Sequence, residues 1–234
     1  MDKRQIIVTG ASKGIGAAIA AEVEARGFRA VCLSRSGDGL AGEQIICDMT
    51  DEAAVKECFA RIASQGPIAG LVNNAGVHIL GAAASQSTED FNRSFALNTT
   101  AVMVASREVY PHLKTQGGII INMGSFFDRM GVPDNMAYCA SKAAVAAITR
   151  VLAVEWAQDG IRVVNVAPGY ITTDLNRDYL SREKVKAWMK GRIPVGGPGE
   201  AEEIARLIGA LFQENIRFLT GETIYVDGGQ GINH

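Results

Sequence analysis

Tyr138 and Lys142 are the pair of side chains with the clearest capacity for chemistry in this chain. On a helix, residues four positions apart lie on the same face, one turn from each other. A tyrosine hydroxyl ordinarily titrates near pH ~10, and a neighbouring ammonium lowers its pKa by stabilising the phenolate. Ser125 precedes this pair at the end of an apolar run and could hydrogen-bond a carbonyl or alcohol. The three residues suit acid/base chemistry at a carbonyl, although such pairs also arise by chance on surface helices and such serines are often turn residues.

A glycine-rich segment follows the first apolar run and precedes the first helix-like stretch. It reads Thr9-Gly10-Ala11-Ser12-Lys13-Gly14-Ile15-Gly16, with the spacing G-x-x-x-G-x-G. Glycines in such a loop let backbone N–H groups approach a pyrophosphate, and the helix N-terminus adds its positive dipole end. The segment therefore predicts a dinucleotide phosphate loop, with contacts from Gly10, Ser12, Lys13, Gly14, Ile15 and Gly16. The alternative is a strand–helix turn that uses glycine for geometry alone.

Short apolar runs alternate with stretches of helical periodicity along the whole chain. The predicted strands are Ile6–Val8, Ala30–Leu33, Gln44–Cys47, Gly70–Asn73, Gly118–Asn122, Arg162–Ala167 and Thr223–Val226. The predicted helices are 14–26, 52–64, 88–114, 138–158 and 200–213. This alternation predicts an α/β fold with a doubly wound, Rossmann-type parallel sheet of about seven strands and helices on both faces. We expect one nucleotide-binding domain over residues 1–234.

One connection in this pattern is too short and too rich in glycine for a crossover helix. Residues 34–43 contain Gly37, Gly39 and Gly42, and glycine is a poor helix former. We therefore predict a loop where the fold usually has a helix.

The end of the second predicted strand bears on the choice between NAD and NADP. Folds that prefer NAD usually place an acidic residue there to hold the ribose 2′-hydroxyl. Here the strand ends in Ser34 and Arg35, and Lys13 lies in the phosphate loop. Two cations would suit a 2′-phosphate, which favours NADP(H), with NAD(H) still possible. They could also be solvated surface charges, and Asp38 could instead act as the acid that selects NAD.

Composition excludes several other classes of function. The 234-residue chain has a net charge of −2, so nothing favours binding to nucleic acid or to an anionic membrane. Its four cysteines form no C-x-x-C motif and are expected to be reduced, as in a cytoplasmic protein. The three histidines lack metal-ligand spacing, so no metal site is predicted. The N-terminal apolar run is too short for a signal peptide or a membrane span.

Taken together and in order, these motifs resemble those of the short-chain dehydrogenase/reductase family. The resemblance covers essentially the whole chain. Within the family, the chain looks most like 3-oxoacyl-[acyl-carrier-protein] reductases and gluconate 5-dehydrogenase-like members. The motifs that carry it are Thr9–Gly16, Asp48, Asn73-Asn74-Ala75-Gly76, Asn98, Ser125, Tyr138 with Lys142, and Pro168-Gly169.

The resemblance implies a catalytic role for four residues. The serine that matches Ser125 positions the substrate oxygen, and the tyrosine that matches Tyr138 exchanges a proton with it. Lys142 would lower the Tyr138 pKa and bind the nicotinamide ribose, while Asn98 would hold a water next to the lysine. The resemblance also implies a homotetramer built on the helices that carry Asn98 and Tyr138 and on the C-terminal strand.

The resemblance likewise implies further contacts with the cofactor. Asp48 would hydrogen-bond the adenine amino group, with the Met49 backbone beside it; unaided, the same segment reads as a helix start capped by Thr50 or Asp51. The remaining cofactor contacts would come from Asn74, Ala75, Gly76, Pro168, Gly169, Ile171 and Thr173, with the last two at the nicotinamide carboxamide.

Large apolar residues near the site are candidate walls of the substrate pocket. They are Phe126, Phe127, Met130, Tyr170 and Trp188, beside Ser125 and Tyr138. Each could equally fill the core, but as walls they imply a substrate with an apolar or aromatic part. The charged segment 174–197 predicts a substrate lid, or else a plain surface helix and loop. His78 could reach the pocket rim, although we expect a surface histidine.

The sequence therefore predicts an NADP-preferring enzyme that interconverts a ketone and a secondary alcohol by Ser-Tyr-Lys chemistry. One alternative is a 3-oxoacyl-[acyl-carrier-protein] reductase, for which Lys184, Lys186, Lys190 and Arg192 offer a possible but ambiguous basic surface. A second is a nucleotide-binding regulatory protein that does not turn over substrate, which the intact set of four residues disfavours.

Overall fold

The computed structural model describes residues 4–174 and 176–233; residues 1–3, Leu175 and His234 lie outside it. The strands of the main sheet are β1 Gln5–Thr9, β2 Arg29–Ser34, β3 Glu43–Ile46, β4 Ile68–Asn73, β5 Gly118–Met123, β6 Ile161–Pro168 and, last in the chain, β9 Thr223–Val226. A separate parallel ribbon pairs β7, Ile171–Thr172, with β8, Gly199–Glu200. The main sheet has seven strands in the order β3-β2-β1-β4-β5-β6-β9, and all of its pairs are parallel. The predicted sheet is confirmed.

Helices connect the strands and cover both faces of the sheet. They are α1 Gly14–Ala25, α2 Glu52–Gln65, α3 Thr88–Phe95, α4 Ala101–Leu113, α5 Met136–Trp156, α6 Arg177–Leu180, α7 Glu183–Arg192 and α8 Ala201–Gln213. Helices α1 and α8 pack on one face, in a core that includes Ile19 and Ile208. Helices α2 and α4 pack on the other, in a core that includes Phe59 and Val109. Because both faces are covered, the central strands are buried along nearly their whole length and are mainly apolar instead of alternating.

The strand order reverses direction at the junction of β1 and β4. From β1 the sheet extends through β2 to β3 on one side, and from β4 through β5 and β6 on the other. In open α/β sheets, ligands bind outside the carboxyl ends of the strands at such a switch point. The residues that follow β1, β4, β5 and β6 therefore share one crevice.

Buried amides tie the central strands to the helices behind them. Asn73 Nδ2 donates to Asn122 Oδ1 at 2.8 Å, and Asn122 Nδ2 donates to Thr149 Oγ1 at 2.9 Å. These three residues are at most 3% exposed, so each polar group would be costly without its partner. The network holds β4 and β5 in register with α5, which carries Tyr138 and Lys142.

Two predicted helices differ from the observed ones. The stretch 88–114 is not one helix: a π-helical turn, Ala96–Thr100, separates α3 from α4, and Asn98 lies at its centre. Helix α5 begins at Met136, two residues before the predicted start. The predicted loop at 34–43 is confirmed, since no helix forms between β2 and β3.

Candidate active site

The glycine-rich loop folds tightly against the end of β4. Gly10 and Gly14 have φ of +65° and +58°, a region that favours glycine. A Cβ on Gly10 would lie 2.8 Å from the Ala75 Cα, and one on Gly16 would lie 2.3 Å from the Gly10 carbonyl oxygen. Asn74 Nδ2 donates to the Thr9 and Gly10 carbonyls at 2.9 and 3.0 Å. Asn74, expected as a cofactor contact, thus uses its side chain to shape the loop.

Thr9 is a second fastening point that sequence reasoning missed. Its hydroxyl accepts hydrogen bonds from the backbone N–H groups of Asn74 and Ala75, both at 3.0 Å. The two segments in which cofactor contacts are predicted, one after β1 and one after β4, are therefore joined by hydrogen bonds of the protein itself. Its place just before Gly10, within the motif, is the signal that could have identified it.

The N-terminus of α1 fits the pyrophosphate of a dinucleotide. Lys13 occupies the N-cap position in an extended conformation and makes no side-chain cap, so no side chain there satisfies the first N–H groups of the helix. Across the crevice, Thr173 Cγ2 lies 3.4 Å from the position of a Cβ on Gly14. Ser12 and Ile15 are half-buried beside this opening, and Lys13 is exposed.

The residues expected at the adenosine end gather around the ends of β2 and β3. Ser34 is buried and accepts a hydrogen bond from the Gly37 N–H, while Arg35 is exposed. Asp48 Oδ1 accepts from the Thr50 N–H at 2.9 Å and from its hydroxyl at 2.8 Å, and these bonds lower the pKa of Asp48. Its side chain is exposed next to the buried Met49.

Asp51, rather than Thr50, caps α2: its side chain accepts from the Ala54 N–H at 3.1 Å. The carboxylate of Asp48 therefore does not serve as the helix cap. It is exposed and ionised, and it can accept a further hydrogen bond from a ligand.

Ser125 and Tyr138 lie together at the carboxyl end of β5. Ser125 caps a 3₁₀ turn, Phe126–Arg129, and accepts from the Phe127 N–H at 3.3 Å. Its side chain adjoins the Tyr138 hydroxyl, close enough to affect the pKa of the phenol. Burial raises the pKa of Tyr138, which the neighbouring Ser125 partly offsets. The expectation of a lowered pKa is therefore not met in the protein alone, and Tyr138 is a neutral phenol that can donate a proton.

Lys142 lies one turn further along α5 and is 6% exposed. Its Nζ donates to the Met123 main-chain carbonyl at 2.7 Å and lies 5.7 Å from the centre of the Tyr138 ring. Burial lowers the pKa of Lys142 to about 8. The ammonium is thus placed between β5 and Tyr138, where a charge acts strongly because little water screens it.

Asn98 is fully buried in the π-helical turn. Its Oδ1 accepts from the Val77 N–H at 2.7 Å, and its Nδ2 donates to the Val77 carbonyl at 2.9 Å and to Ser141 Oγ at 3.1 Å. Both amide protons are therefore used within the protein. A Cβ on Gly76 would lie 3.2 Å from Asn98 Oδ1 and 3.8 Å from Lys142 Nζ, so the three residues adjoin. Gly76 itself is exposed at the crevice.

A continuous series of contacting aromatic rings extends from Tyr138 to Trp188 in α7. Phe127 lies edge-on to Tyr138 at 6.0 Å and to Tyr170 at 6.3 Å. Tyr170 in turn contacts Trp188 edge-on at 5.6 Å, and Phe126 at 5.5 Å. Four of the five predicted wall residues are thus in one cluster, although Phe126 and Phe127 are largely buried and Trp188 is 45% exposed. The fifth, Met130, is half-buried at the end of the 3₁₀ turn.

His78 is exposed, as expected, but its ring lies against the proposed catalytic residue Tyr138. Its ring stacks on Tyr138 with centroids 4.4 Å apart and planes inclined by 38°. Its Nε2 hydrogen-bonds Asn135 Oδ1. Asn135 was missed by sequence reasoning, since nothing in its neighbourhood distinguishes it from a turn asparagine.

Residues 168–173 form the opposite side of the crevice. Gly169 packs so closely that a Cβ would lie 2.7 Å from the Asp227 Cα, immediately after Pro168 ends β6. Asn176 holds the segment: its Oδ1 accepts from the Thr173 N–H at 2.8 Å, and its Nδ2 donates to the Ile171 carbonyl at 2.9 Å. Ile171 is buried and Thr173 half-buried, so only the threonine side chain faces the opening beside Gly14.

The predicted lid, 174–197, contains α6 and α7; Leu175 within it lies outside the described residues. Leu180, Met189 and Ile193 form a small apolar cluster, separate from the two main cores, against which Tyr170 packs. A cavity of about 380 Å³ opens on its outer side, lined by residues such as Lys186 and Pro198 and by none of the predicted catalytic residues. Among the described residues, no group of His, Cys, Asp or Glu side chains could hold a metal ion.

Comparison with known proteins agrees with this geometry. A family model described as enoyl-(acyl carrier protein) reductase matches residues 10–230. The chain is 37% identical to a glucose 1-dehydrogenase of Gluconobacter oxydans, over 97% of this chain and 91% of that protein. It is 34% identical to the 3-oxoacyl-[acyl-carrier-protein] reductase of Escherichia coli, over 95% of each chain.

Solved structures give the same result. A putative NAD(P)-dependent gluconate 5-dehydrogenase from Beutenbergia cavernae, solved with bound NADP, is 28% identical to this chain. The two superimpose with a TM-score of 0.91, covering 98% of this chain and 97% of the other.

Proposed function

Since the chain belongs to the short-chain dehydrogenase/reductase family, we propose that it interconverts a ketone and a secondary alcohol with a preference for NADP(H). The family's members act as NAD(P)-dependent oxidoreductases on CH–OH groups, and so does this protein. The observation that supports the finer proposal best is the arrangement of Ser125, Tyr138 and Lys142. They meet at the end of β5, beside the loop that fits a pyrophosphate.

In this proposal, Ser125 and Tyr138 bind the substrate oxygen together. The two hydroxyls adjoin, and a carbonyl oxygen placed between them would accept from both. The bound nicotinamide supplies or accepts the hydride at the substrate carbon. Because burial keeps Tyr138 neutral, its proton is available to the oxygen as the alcohol forms.

Lys142 stabilises the tyrosinate that remains after this transfer. Its ammonium is held by the Met123 carbonyl at 2.7 Å and is desolvated, so its charge acts strongly on the neighbouring ring. We also assign it the ribose hydroxyls of the cofactor. The Asn98 side chain is engaged by Val77 and Ser141, so we assign any water that it holds near Lys142 to its main chain.

The proposed cofactor contacts follow the crevice. The phosphate loop and the N-terminus of α1 would hold the pyrophosphate, and Asp48 with Met49 would hold the adenine. Asn74, Ala75 and Gly76 would adjoin the ribose, while Ile171 and Thr173 would hold the carboxamide. Arg35 and Lys13, both exposed, support NADP because their charges suit a 2′-phosphate.

The aromatic cluster supports a substrate with an apolar portion next to the carbonyl. Tyr170 and Trp188 lie at its open end, and Trp188 belongs to α7 of the proposed lid. The lid carries its own small apolar cluster, so it could move as a unit without exposing the main cores.

Reduction of a 3-oxoacyl thioester is the second candidate. One relative is named for that activity, and Lys184, Lys190 and Arg192 present exposed cations on α7 to an acidic carrier protein. Because Lys186 is paired with Glu183 at 3.0 Å, the cationic surface is smaller than the sequence suggests.

A screen of ketones and secondary alcohols with both cofactors tests the proposal. We expect NADPH-dependent reduction of ketones that carry an apolar group, with NADH used less efficiently. Reduction of acetoacetyl thioesters at a higher kcat/KM than that of every free ketone would favour the second candidate. Binding of NADPH without turnover of any substrate, or a clear preference for NADH, would contradict the proposal.

We further propose a cytoplasmic homotetramer. Val151 and Val154 on α5 are 54% and 80% exposed, and Met103 on α4 is 40% exposed. Helix α5 with its following turn is long and apolar enough to cross a membrane by composition alone, yet it carries the buried Lys142. An outward apolar face on a core helix is explained by contact with a second copy. Light scattering that gives the mass of a monomer would contradict this.

A further inference from the structure

The environment of His78 has a consequence for the shape and polarity of the substrate. The imidazole lies over Tyr138 with ring centroids 4.4 Å apart, and edge-on to Phe127 at 6.4 Å. It is therefore a polar group beside Tyr138 on a wall otherwise made of aromatic rings. The family-wide chemistry of Ser125, Tyr138 and Lys142 does not use it.

Asn135 fixes which nitrogen of His78 carries the proton. Asn135 Nδ2 donates to the Pro133 carbonyl at 2.7 Å, and a carbonyl can only accept. This contact orients the amide, so the group that meets His78 Nε2 is the Asn135 carbonyl oxygen. That oxygen also can only accept, so Nε2 must be the N–H of the ring. In the neutral imidazole, Nδ1 is then an acceptor.

The contact between His78 and Asn135 belongs to a built junction between two loops. The Gly81 N–H donates to the Asp134 carbonyl at 2.9 Å, beside the bond between His78 and Asn135. Asp134 adopts φ of +62°, unusual for a residue other than glycine, and Asn135 is 6% exposed. The two loops are thus joined at two points just above Tyr138.

Nδ1 of His78 makes no hydrogen bond with any of the residues that the structure describes, and the side chain is exposed. Asn135 holds His78 beside Tyr138, which binds the substrate oxygen in the proposed reaction. The free acceptor Nδ1 therefore favours a substrate that carries a hydrogen-bond donor. Since the imidazole lies 4.4 Å from the Tyr138 ring, this acceptor suits a hydroxyl on the carbon next to the reacting carbonyl.

We propose that His78 is a substrate-binding residue whose Nδ1 accepts a hydrogen bond from a hydroxyl adjacent to the reacting carbon. The preferred substrates are then α-hydroxy ketones in one direction and vicinal diols in the other. This inference rests on the proposed carbonyl chemistry at Tyr138. The aromatic wall contacts the carbon skeleton, and His78 reads the neighbouring oxygen.

Two ketones that differ by a single hydroxyl test this inference: 2-hydroxyacetophenone and acetophenone. The measured quantity is the ratio of their kcat/KM values with NADPH, in the wild type and in two variants. His78→Phe keeps a ring on Tyr138 but has no acceptor. His78→Asn keeps a polar group near the position of Nδ1. A general loss of activity cancels within each ratio, and the intrinsic reactivity of the two ketones cancels when the ratios of different proteins are compared.

We expect His78→Phe to lower the ratio about 5- to 10-fold, the value of one neutral hydrogen bond. His78→Asn should change it less than about 2-fold, since its side-chain oxygen can replace the acceptor. An unchanged ratio in His78→Phe would overturn the inference, and so would an equal fall in both variants. If the wild type reduces neither these ketones nor any in the wider screen, the proposed function fails and the inference fails with it. Turnover with an unaffected ratio overturns the inference alone.

Discussion

The Lys142 ammonium donates to the main-chain carbonyl of Met123 at 2.7 Å, which fastens α5 to the carboxyl end of β5. This bond fixes the lysine at the one place where strand, helix and crevice meet. It also removes the ammonium from water, and burial lowers the pKa of Lys142 to about 8. The positive charge of Lys142 can therefore be lost within the pH range of ordinary assays.

A pH dependence follows from that lowered pKa. Below about 8, Lys142 is charged and can bind the cofactor ribose; above it, the folded protein holds a neutral amine. The value of kcat/KM for NADPH reports the free enzyme, so it should fall as the pH rises through about 8. The measurement is a pH profile at limiting NADPH.

Lys142→Met supplies the control for this profile. It should have low activity at every pH and no fall near pH 8, because the titrating group is gone. A wild-type profile that stays level from pH 7 to pH 9.5, roughly one and a half units beyond the expected midpoint, would contradict the assignment.

The phosphate loop should tolerate no side chain at Gly16. A Cβ there would lie 2.3 Å from the Gly10 carbonyl oxygen and 2.5 Å from Asn74 Nδ2. Gly16→Ala should therefore displace the loop, at a cost of about 1–3 kcal/mol in stability, and raise the Kd for NADPH about 10-fold or more. Titration calorimetry and thermal melting measure the two effects.

Gly191→Ala is the matched variant, because Gly191 lies in α7 and has nothing within 4 Å of its Cβ position. It should bind NADPH as the wild type does and be stabilised by up to about 1 kcal/mol. Equal NADPH affinities for the two alanine variants would show that the loop is not the binding site.

Asn98 should matter for stability as well as for turnover. Asn98→Ala leaves the N–H and carbonyl of the half-buried Val77 without the partners that now lie at 2.7 and 2.9 Å. Each orphaned group costs about 1–3 kcal/mol, so a loss of about 2–4 kcal/mol in the free energy of unfolding is expected. Denaturant titration measures it.

Asn92→Ala, on the exposed side of α3, is the control and should stay within about 0.5 kcal/mol of the wild type. If Asn98→Ala were equally harmless, the hydrogen bonds to Val77 would not hold the loop, and the junction between the π-helical turn and the crevice would need another explanation.

Arg35 should control the choice of cofactor. Arg35→Glu replaces an exposed cation at the end of β2 with an anion, which would repel the 2′-phosphate of NADP. The kcat/KM for NADPH should fall about 10- to 100-fold, as expected for the loss of a charge-assisted contact, while that for NADH changes little.

Arg61→Glu makes the same change of charge on an exposed part of α2 and should leave the ratio of the two cofactors unaltered. A similar loss of NADPH use in both variants would mean that overall charge, and not Arg35, sets the preference.

The sequence predicts the sheet well because its signals are local. Each strand is a short apolar run. The glycine-rich segment and Ser125 follow strands, and Tyr138 lies at the start of a helix, which are the places where a doubly wound fold binds ligands. The loop at 34–43 was also predictable, since its glycines prevent a helix.

The remaining features depend on contacts between distant segments. The π-helical turn carries Asn98, which hydrogen-bonds Val77 and Ser141, and no helical periodicity reveals these contacts. The raised pKa of Tyr138 follows from burial and not from its spacing to Lys142. His78 lies over Tyr138 and hydrogen-bonds Asn135, which is 57 residues away in the sequence.

The most direct test of the central claim is the rate of NADPH-dependent ketone reduction by Tyr138→Phe, measured beside its affinity for NADPH. The variant keeps the ring that contacts His78 and Phe127 but has no proton to give. We predict a fall in kcat of about 10²- to 10⁴-fold, the usual contribution of general acid catalysis, with a Kd for NADPH within about 3-fold of the wild type. A kcat within 3-fold of the wild type, roughly 0.6 kcal/mol in the barrier, would contradict the account, because the proton would then come from another group.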